Sequence, residues 1–401
     1  MNNPAEIETR SFLESAPMAF DRTAGWNYIR EAGEVFERDG QWYLTSPEAV
    51  RFAHQNPLIF STAKAFDALG SPVPLVPVAI DPPDHLRYRR ILDPMFAPRV
   101  INRIEDELRR QVREIIAQFS SSGSCDVMFD LAELYPTQVI LTMLGLPLDD
   151  RDTFMGWTKI IVGGSAMPAS VGEAERAEAG MALSMYLREY IVKKRSEPGH
   201  DILSEILALT GDDAWTDAEV LGMCFLFVLA GLDTVAASIG FVLRHLANDV
   251  ELRRRVVADL SLVNAVVEEV LRVELPAPIT PRVTTTEVVL CGVTIPAGAK
   301  VQLVLGTVNR ENRACPHDVE LSQAEGGHVS FGGGIHRCLG SHLARRELRL
   351  VVEEFLAAIP DFAIVENFVP RIQWPSVTYH LESLPITFPV VQDLEPAAAG
   401  R

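Results

Sequence analysis

Cysteine is scarce in this sequence. There are five, Cys125, Cys224, Cys291, Cys315 and Cys338, widely spaced and with no CxxC pair. An odd, scattered set excludes a disulfide framework and a zinc site built on paired cysteines. It fits a reducing compartment, and a cytoplasmic location is expected. Positive charge is scarce too. Lys and Arg number 36 against 54 Asp and Glu, a net charge of −18. Nucleic acid and anionic membrane surfaces are therefore poor partners, because both need basic patches. The first twelve residues lack a basic stretch followed by an apolar core, so no leader or anchor is expected. Repeats, low-complexity tracts and linkers of biased composition are also missing. One domain over residues 1–401 is expected, with 1–32 and 392–401 as peripheral tails.

One long apolar run is present, residues 220–243, VLGMCFLFVLAGLDTVAASIGFVL. Its length alone would cross a bilayer. Asp233 near its middle makes that costly. The preceding Thr216-Asp217-Ala218-Glu219 reads as the capping box of a soluble helix. The run is therefore read as a helix through the core of a large protein.

Helical periodicity also marks residues 104–119, 132–144, 181–195, 252–260, 263–274 and 341–359. Strand signals are shorter: 41–44, 288–290 and 293–295 around a Cys291-Gly292 turn, 301–305, and 386–391. The fold class is thus mainly α with small β-sheets. Residues 66–83 are rich in proline and predict a long loop.

Residues 331–340 read FGGGIHRCLG. Three consecutive glycines predict unusual backbone angles or close approach of the main chain to something else. Cys338 then falls just before the 341–359 helix, where free N–H groups and the helix dipole favour a thiolate. The bland alternative is a glycine-rich turn that happens to bury a cysteine. The full pattern FxxGxHxCxG fixes five positions, and here the segment resembles the haem-binding loop of cytochrome P-450 enzymes. The resemblance covers most of the chain, from about residue 33 to 389. It implies the fold of that family, with the long helix lying over haem b (iron protoporphyrin IX) and Cys338 as the axial ligand of the iron, in contact with Phe331 and Gly332 of the same loop.

Other segments carry the same resemblance. Ala230-Gly231-Leu232-Asp233-Thr234 matches the family's AGxDT oxygen-activation signature. A small residue at Gly231 would let a flat cofactor or dioxygen come close, and Thr234 can bond the carbonyl of Ala230 and loosen the helix. The alternative is helix packing by small residues, with Asp233 in a salt bridge. Glu269 and Arg272, three apart, share a helix face. The family uses such a pair as a buried anchor behind the haem loop, with a third, basic partner. Arg310, Arg313 and His317 are all open as that partner. His85, Arg89, Arg282 and His336 are implied as partners of the haem carboxylates.

The resemblance further implies a monooxygenase acting on an apolar small molecule (a terpenoid, steroid, fatty acid or aromatic compound) and consuming dioxygen. Asp233 would relay protons and Thr234 would hydrogen-bond the activated oxygen. Leu226, Leu229, Ala230, Pro278, Ile279, Val377 and Thr378 are expected to line the substrate pocket, with the 66–83 loop as its lid. Electrons would come from a separate ferredoxin or flavodoxin, since no flavin or iron–sulfur motif is present. Arg109, Arg110, Arg337, Arg345, Arg346 and Arg349 could form a basic docking face. A peroxide-driven peroxygenase and a non-catalytic haem sensor are the alternatives.

Overall fold

The computed structural model describes residues 11–67, 71–163 and 172–390. The apolar run lies within one unbroken α-helix, Asp217–Asn248, here called the central helix. It starts at the expected capping box: the Thr216 side chain accepts from Glu219 N–H, and the Glu219 side chain accepts from Thr216 N–H. Of its most apolar window 72% is buried inside the protein, so its hydrophobicity is spent on packing.

Around it pack Leu134–Leu144, Glu173–Ser196, Val263–Val273 and Ser341–Ala358. Close approach needs small residues. A side chain at Gly222 would strike the carbonyl of Pro74, and one at Gly240 would strike the Met128 sulfur. The Ser341–Ala358 helix lies against Pro98–Ala117, and charged residues bind the two together at the edge of the contact. Arg109 bonds Glu353 at 2.7 Å, and Arg349 bonds Glu105 at 2.5 Å.

The main sheet has five strands in the order Val35–Arg38, Gln41–Leu44, Lys300–Val304, Ile279–Thr284 and Phe60–Ser61. Gln41–Leu44 and Lys300–Val304 pair in parallel, while Ile279–Thr284 runs antiparallel with Arg282 opposite Val301. The sheet has its own smaller hydrophobic cluster, including Leu44, Phe60, Val301 and Leu303. Its role for the site is positional. Alternation along Ile279–Thr284 turns Thr280 and Arg282 to one side, toward the cavity described next. The hairpin of Val288–Leu290 and Val293–Ile295 forms as its turn residues predict, with Cys291 and Gly292 at positive φ. The C-terminal strand is shorter than expected, Pro385–Thr387, and pairs with both Ser124–Asp126 and Ala363–Ile364.

Candidate active site

A largely apolar cavity lies between the central helix and the 331–340 loop. Its floor is the loop itself. Cys338 N–H donates to the Phe331 carbonyl at 2.8 Å, and Gly332 N–H to the Val329 carbonyl at 2.8 Å. Gly332 and Gly334 adopt φ of 67° and 64°, the left-handed region that glycine enters at no steric cost. Gly333 is required for a different reason: a Cβ there would come within 2.7 Å of His54 Nδ1. Both expectations for the triple glycine, unusual angles and close approach, are met.

Cys338 sits deep in the protein, yet its side chain is open to the cavity. Burial pushes its thiol pKa up. The Gly340 backbone and the positive charges of Arg89, Arg337 and Arg345 oppose that shift without cancelling it. A metal cation on the cavity side would favour the thiolate form of this cysteine.

At one rim of the cavity the four basic residues come together. The His85 and His336 rings lie edge to face at 4.5 Å. His85 Nε2 and His336 Nδ1 are buried without a partner. Burial, followed by the neighbouring His85 and Arg282, holds His336 down at about 3, and burial with Arg89 lowers His85. Burial lowers Arg282 to about 10, and among the described residues its guanidinium donates only to the carbonyl of Pro281. Arg89 is more engaged, donating to the Arg337 carbonyl at 2.8 Å and to Asp93 at 2.7 Å. The nearby carboxylate, Asp81, is occupied by Ser61 and by the Thr62 N–H and hydroxyl. His85, Arg282 and His336 thus face the cavity without a carboxylate partner among the described residues. These features suit haem. Its two carboxylates would satisfy the rim, and its iron would face Cys338.

The opposite wall is the central helix. Ala230 is exposed to the cavity. Thr234 Oγ donates to the Ala230 carbonyl at 2.7 Å, and Ser238 Oγ to the Thr234 carbonyl at 2.8 Å. The helix nevertheless continues without a break. Gly231 also lines this cavity. Its missing side chain makes room for Ile140, whose Cδ1 would lie 2.6 Å from a Cβ there. Ala230, Gly231 and Ile140 all line the cavity, so the glycine meets both a neighbouring helix and the open space.

Asp233 does not face the Cys338 cavity. It opens on a second, more polar cavity lined by Glu133, Lys159, Gln373, Thr378 and His380. Lys159 pairs with Glu133 at 2.7 Å, and no protein group bonds Asp233 among the described residues. Burial, reinforced by Glu133 and opposed by Lys159, pushes the Asp233 carboxyl up to about 7. Two adjacent residues thus present one proton-holding group to each cavity.

Behind the loop, Glu269 and Arg272 form a bidentate pair, both bonds 2.9 Å, and each side chain is 1% exposed. Among the described residues none of Arg310, Arg313 and His317 bonds the pair as its third, basic partner. Arg272 instead donates to the carbonyls of Asn309, Cys315, Pro316 and Asp318, and Glu269 accepts from Glu320 N–H. Arg310 lies over the Trp26 ring and bonds the carbonyls of Gly306 and Val273, while Arg313 bonds those of Gly326 and Gly327. Main-chain carbonyls do the work expected of a side chain.

The substrate-pocket residues divide. Leu226 and Ala230 line the Cys338 cavity, along with Phe66, Pro77 and Val78 of the expected lid loop. Leu229 is buried in the core and lines neither cavity. Pro278 and Ile279 give way to Pro276, Ala277 and Thr280, since strand alternation turns Ile279 away. Val377 is exposed on the surface, and Thr378 lines the Asp233 cavity.

The basic face is also corrected. Arg345 pairs with Glu268, Arg346 and Arg349 with Glu105, Arg109 with Glu353, and Arg110 with Glu107 and Glu114. Only Arg337 of the six has no carboxylate partner among the described residues. Sequence reasoning missed Glu347, a fully buried cavity-lining acid whose Oε2 has no partner and whose pKa burial raises well above the usual range. A carboxylate four residues after Leu343, on the apolar stripe of its helix, was the available signal.

The comparisons agree with this geometry. The family model for Cytochrome P450 matches residues 43–358. Vitamin D(3) 25-hydroxylase of Pseudonocardia autotrophica is 32% identical over 86% of this chain and 87% of its own. Cytochrome P450 130 of Mycobacterium tuberculosis is 32% identical over 77% of each chain. The solved structure of CYP109E1 from Bacillus megaterium in complex with testosterone superposes with a TM-score of 0.84. It is 27% identical, over 92% of this chain and 98% of that one. A haem-thiolate site is what this family carries, and this chain belongs to the cytochrome P450 family.

Proposed function

We propose that this single-domain cytoplasmic protein is a haem-thiolate monooxygenase that hydroxylates a hydrophobic small molecule using dioxygen. The observation that carries the reading is the opposition of Cys338 on the cavity floor to Ala230 and Thr234 on its roof. Cys338 would ligate the iron. His85, Arg89, Arg282 and His336 would hold the haem carboxylates, with Phe331, Gly332 and Ala230 against the ring. Bound there, haem would supply the iron chemistry of dioxygen activation, and a thiolate ligand favours O–O cleavage.

The chain's own residues position and protonate. Thr234 gives its hydroxyl proton to Ala230, so its oxygen lone pairs are free to hold a water at the roof. Asp233, near neutral in pKa, takes a proton from the polar cavity and delivers it across the helix by side-chain rotation. The Glu269–Arg272 pair holds the loop and takes no part in chemistry.

An apolar lining with Phe66, Phe96, Ile140, Leu226 and Phe227 selects a hydrophobic substrate. The relatives' names, a vitamin D hydroxylase and a testosterone complex, support the steroid and terpenoid end of that range. Electrons come from a separate ferredoxin or flavodoxin. Replacing Thr234 with Ala tests the reading. With ferredoxin, reductase and nicotinamide cofactor, product should fall and hydrogen peroxide should appear at unchanged electron consumption. Equal product from both proteins would point to a carrier, and turnover with peroxide alone to a peroxygenase.

A further inference from the structure

His54 closes the helix Pro47–Gln55, which begins with Pro47 and is capped by the Ser46 side chain. Ala49, Val50 and Ala53 anchor that helix in the core of the sheet. Its last turn presses into the Cys338 loop. A side chain on Gly333 would meet His54 Nδ1 at 2.7 Å, and one on Gly334 would meet the His54 carbonyl at 2.1 Å. Two of the three glycines are thus the footprint of this residue.

Tight packing alone would account for a small apolar side chain there. It does not account for an imidazole. His54 lines the Cys338 cavity at the rim that holds His85, Arg282 and His336. Its ring forms no hydrogen bond to the protein among the described residues. Burial, and after it the charge of Arg282, lowers its pKa to about 4. Asp81 takes Ser61 and Thr62 on its two oxygens and forms no bond to His54 among the described residues. A neutral N–H donor beside a buried guanidinium, with no acceptor, is half of an anion site.

We propose that His54 is a fifth member of the carboxylate grip, donating to the same haem carboxylate as Arg282. It is a positioning residue for the cofactor, and its assignment rests on the cavity being the haem site. Fixing both the loop and the carboxylate, His54 would set the ring's rotation relative to Cys338.

The test uses the holoenzyme and the variants His54→Ala and His54→Gln. Haem loss to excess apomyoglobin should be about tenfold faster in His54→Ala, the loss expected for one hydrogen bond to a charged group. The resonance Raman carboxylate bending band of the haem should shift to lower frequency, and the reduction potential should move negative. His54→Gln, which keeps an N–H donor, should restore most of the band position. An unchanged band and transfer rate in His54→Ala would overturn the proposal. So would an equal loss in both variants, which would assign His54 to loop packing. If His54→Ala does not fold, the Raman band of His54→Gln against His54→Leu decides in the same way. The reduced carbon monoxide spectrum separates this from the larger reading: thiolate ligation with an indifferent His54 sinks only the fifth contact.

Discussion

The floor and the roof of the cavity are built by different means. On the floor, the main chain does nearly everything: carbonyls take the Cys338 and Gly332 N–H groups, and four more carbonyls receive Arg272. On the roof, the main chain is committed to an ordinary helix, with the Thr234 hydroxyl toward the Cys338 cavity and the Asp233 carboxyl toward the second one. A floor made of backbone fixes one geometry and tolerates little. A roof made of single side chains can lose one and still stand. Damage below should therefore remove the cofactor, while damage above should leave it bound and spoil its use.

Cys338→Ser gives the largest expected effect. It should abolish the thiolate signature of the reduced carbon monoxide adduct and all dioxygen-dependent product. Glu269→Ala comes next. It strands a buried guanidinium, at a cost of about 3–5 kcal/mol, readable as a lower urea midpoint with haem lost in the same transition. A roof variant with that stability loss would break the contrast. Asp233→Asn should keep both stability and the thiolate spectrum, yet slow oxygen cleavage by about a hundredfold. Its pH profile sharpens the point. The Asp233 pKa is raised to about 7, so the protonated acid prevails below that pH and is lost as pH rises through it. Wild-type turnover should fall above pH 7, and the Asn variant should lack that limb. Gly231→Ala should have the smallest effect. The overlap falls on the flexible end of Ile140, and helix propensity returns about 1 kcal/mol, so stability by thermal melting should barely change.

Much of the floor could be read in the sequence, because its demands are local. Three glycines, a cysteine and a helix start are contiguous, and the Glu269–Arg272 spacing puts both side chains on one face. The roof was legible as a helix with a capping box. Which cavity each side chain faces was not legible, since Asp233 and Thr234 differ by one residue and about 100° around the axis. The partners of Arg272 were hidden for another reason. A carbonyl is present at every residue, so no residue type signals it. His54 and Glu347 meet the other residues only through tertiary packing, and Arg109, Arg346 and Arg349 of the expected docking face pair with carboxylates on a helix more than two hundred residues away.

The central claim is one bond, from the Cys338 sulfur to haem iron. Ferrous protein under carbon monoxide reads it directly. The account predicts stoichiometric haem and a strongly red-shifted Soret band, the mark of an anionic sulfur ligand. Haem-free folded protein, or a Soret band at the position given by a neutral nitrogen ligand, would contradict it.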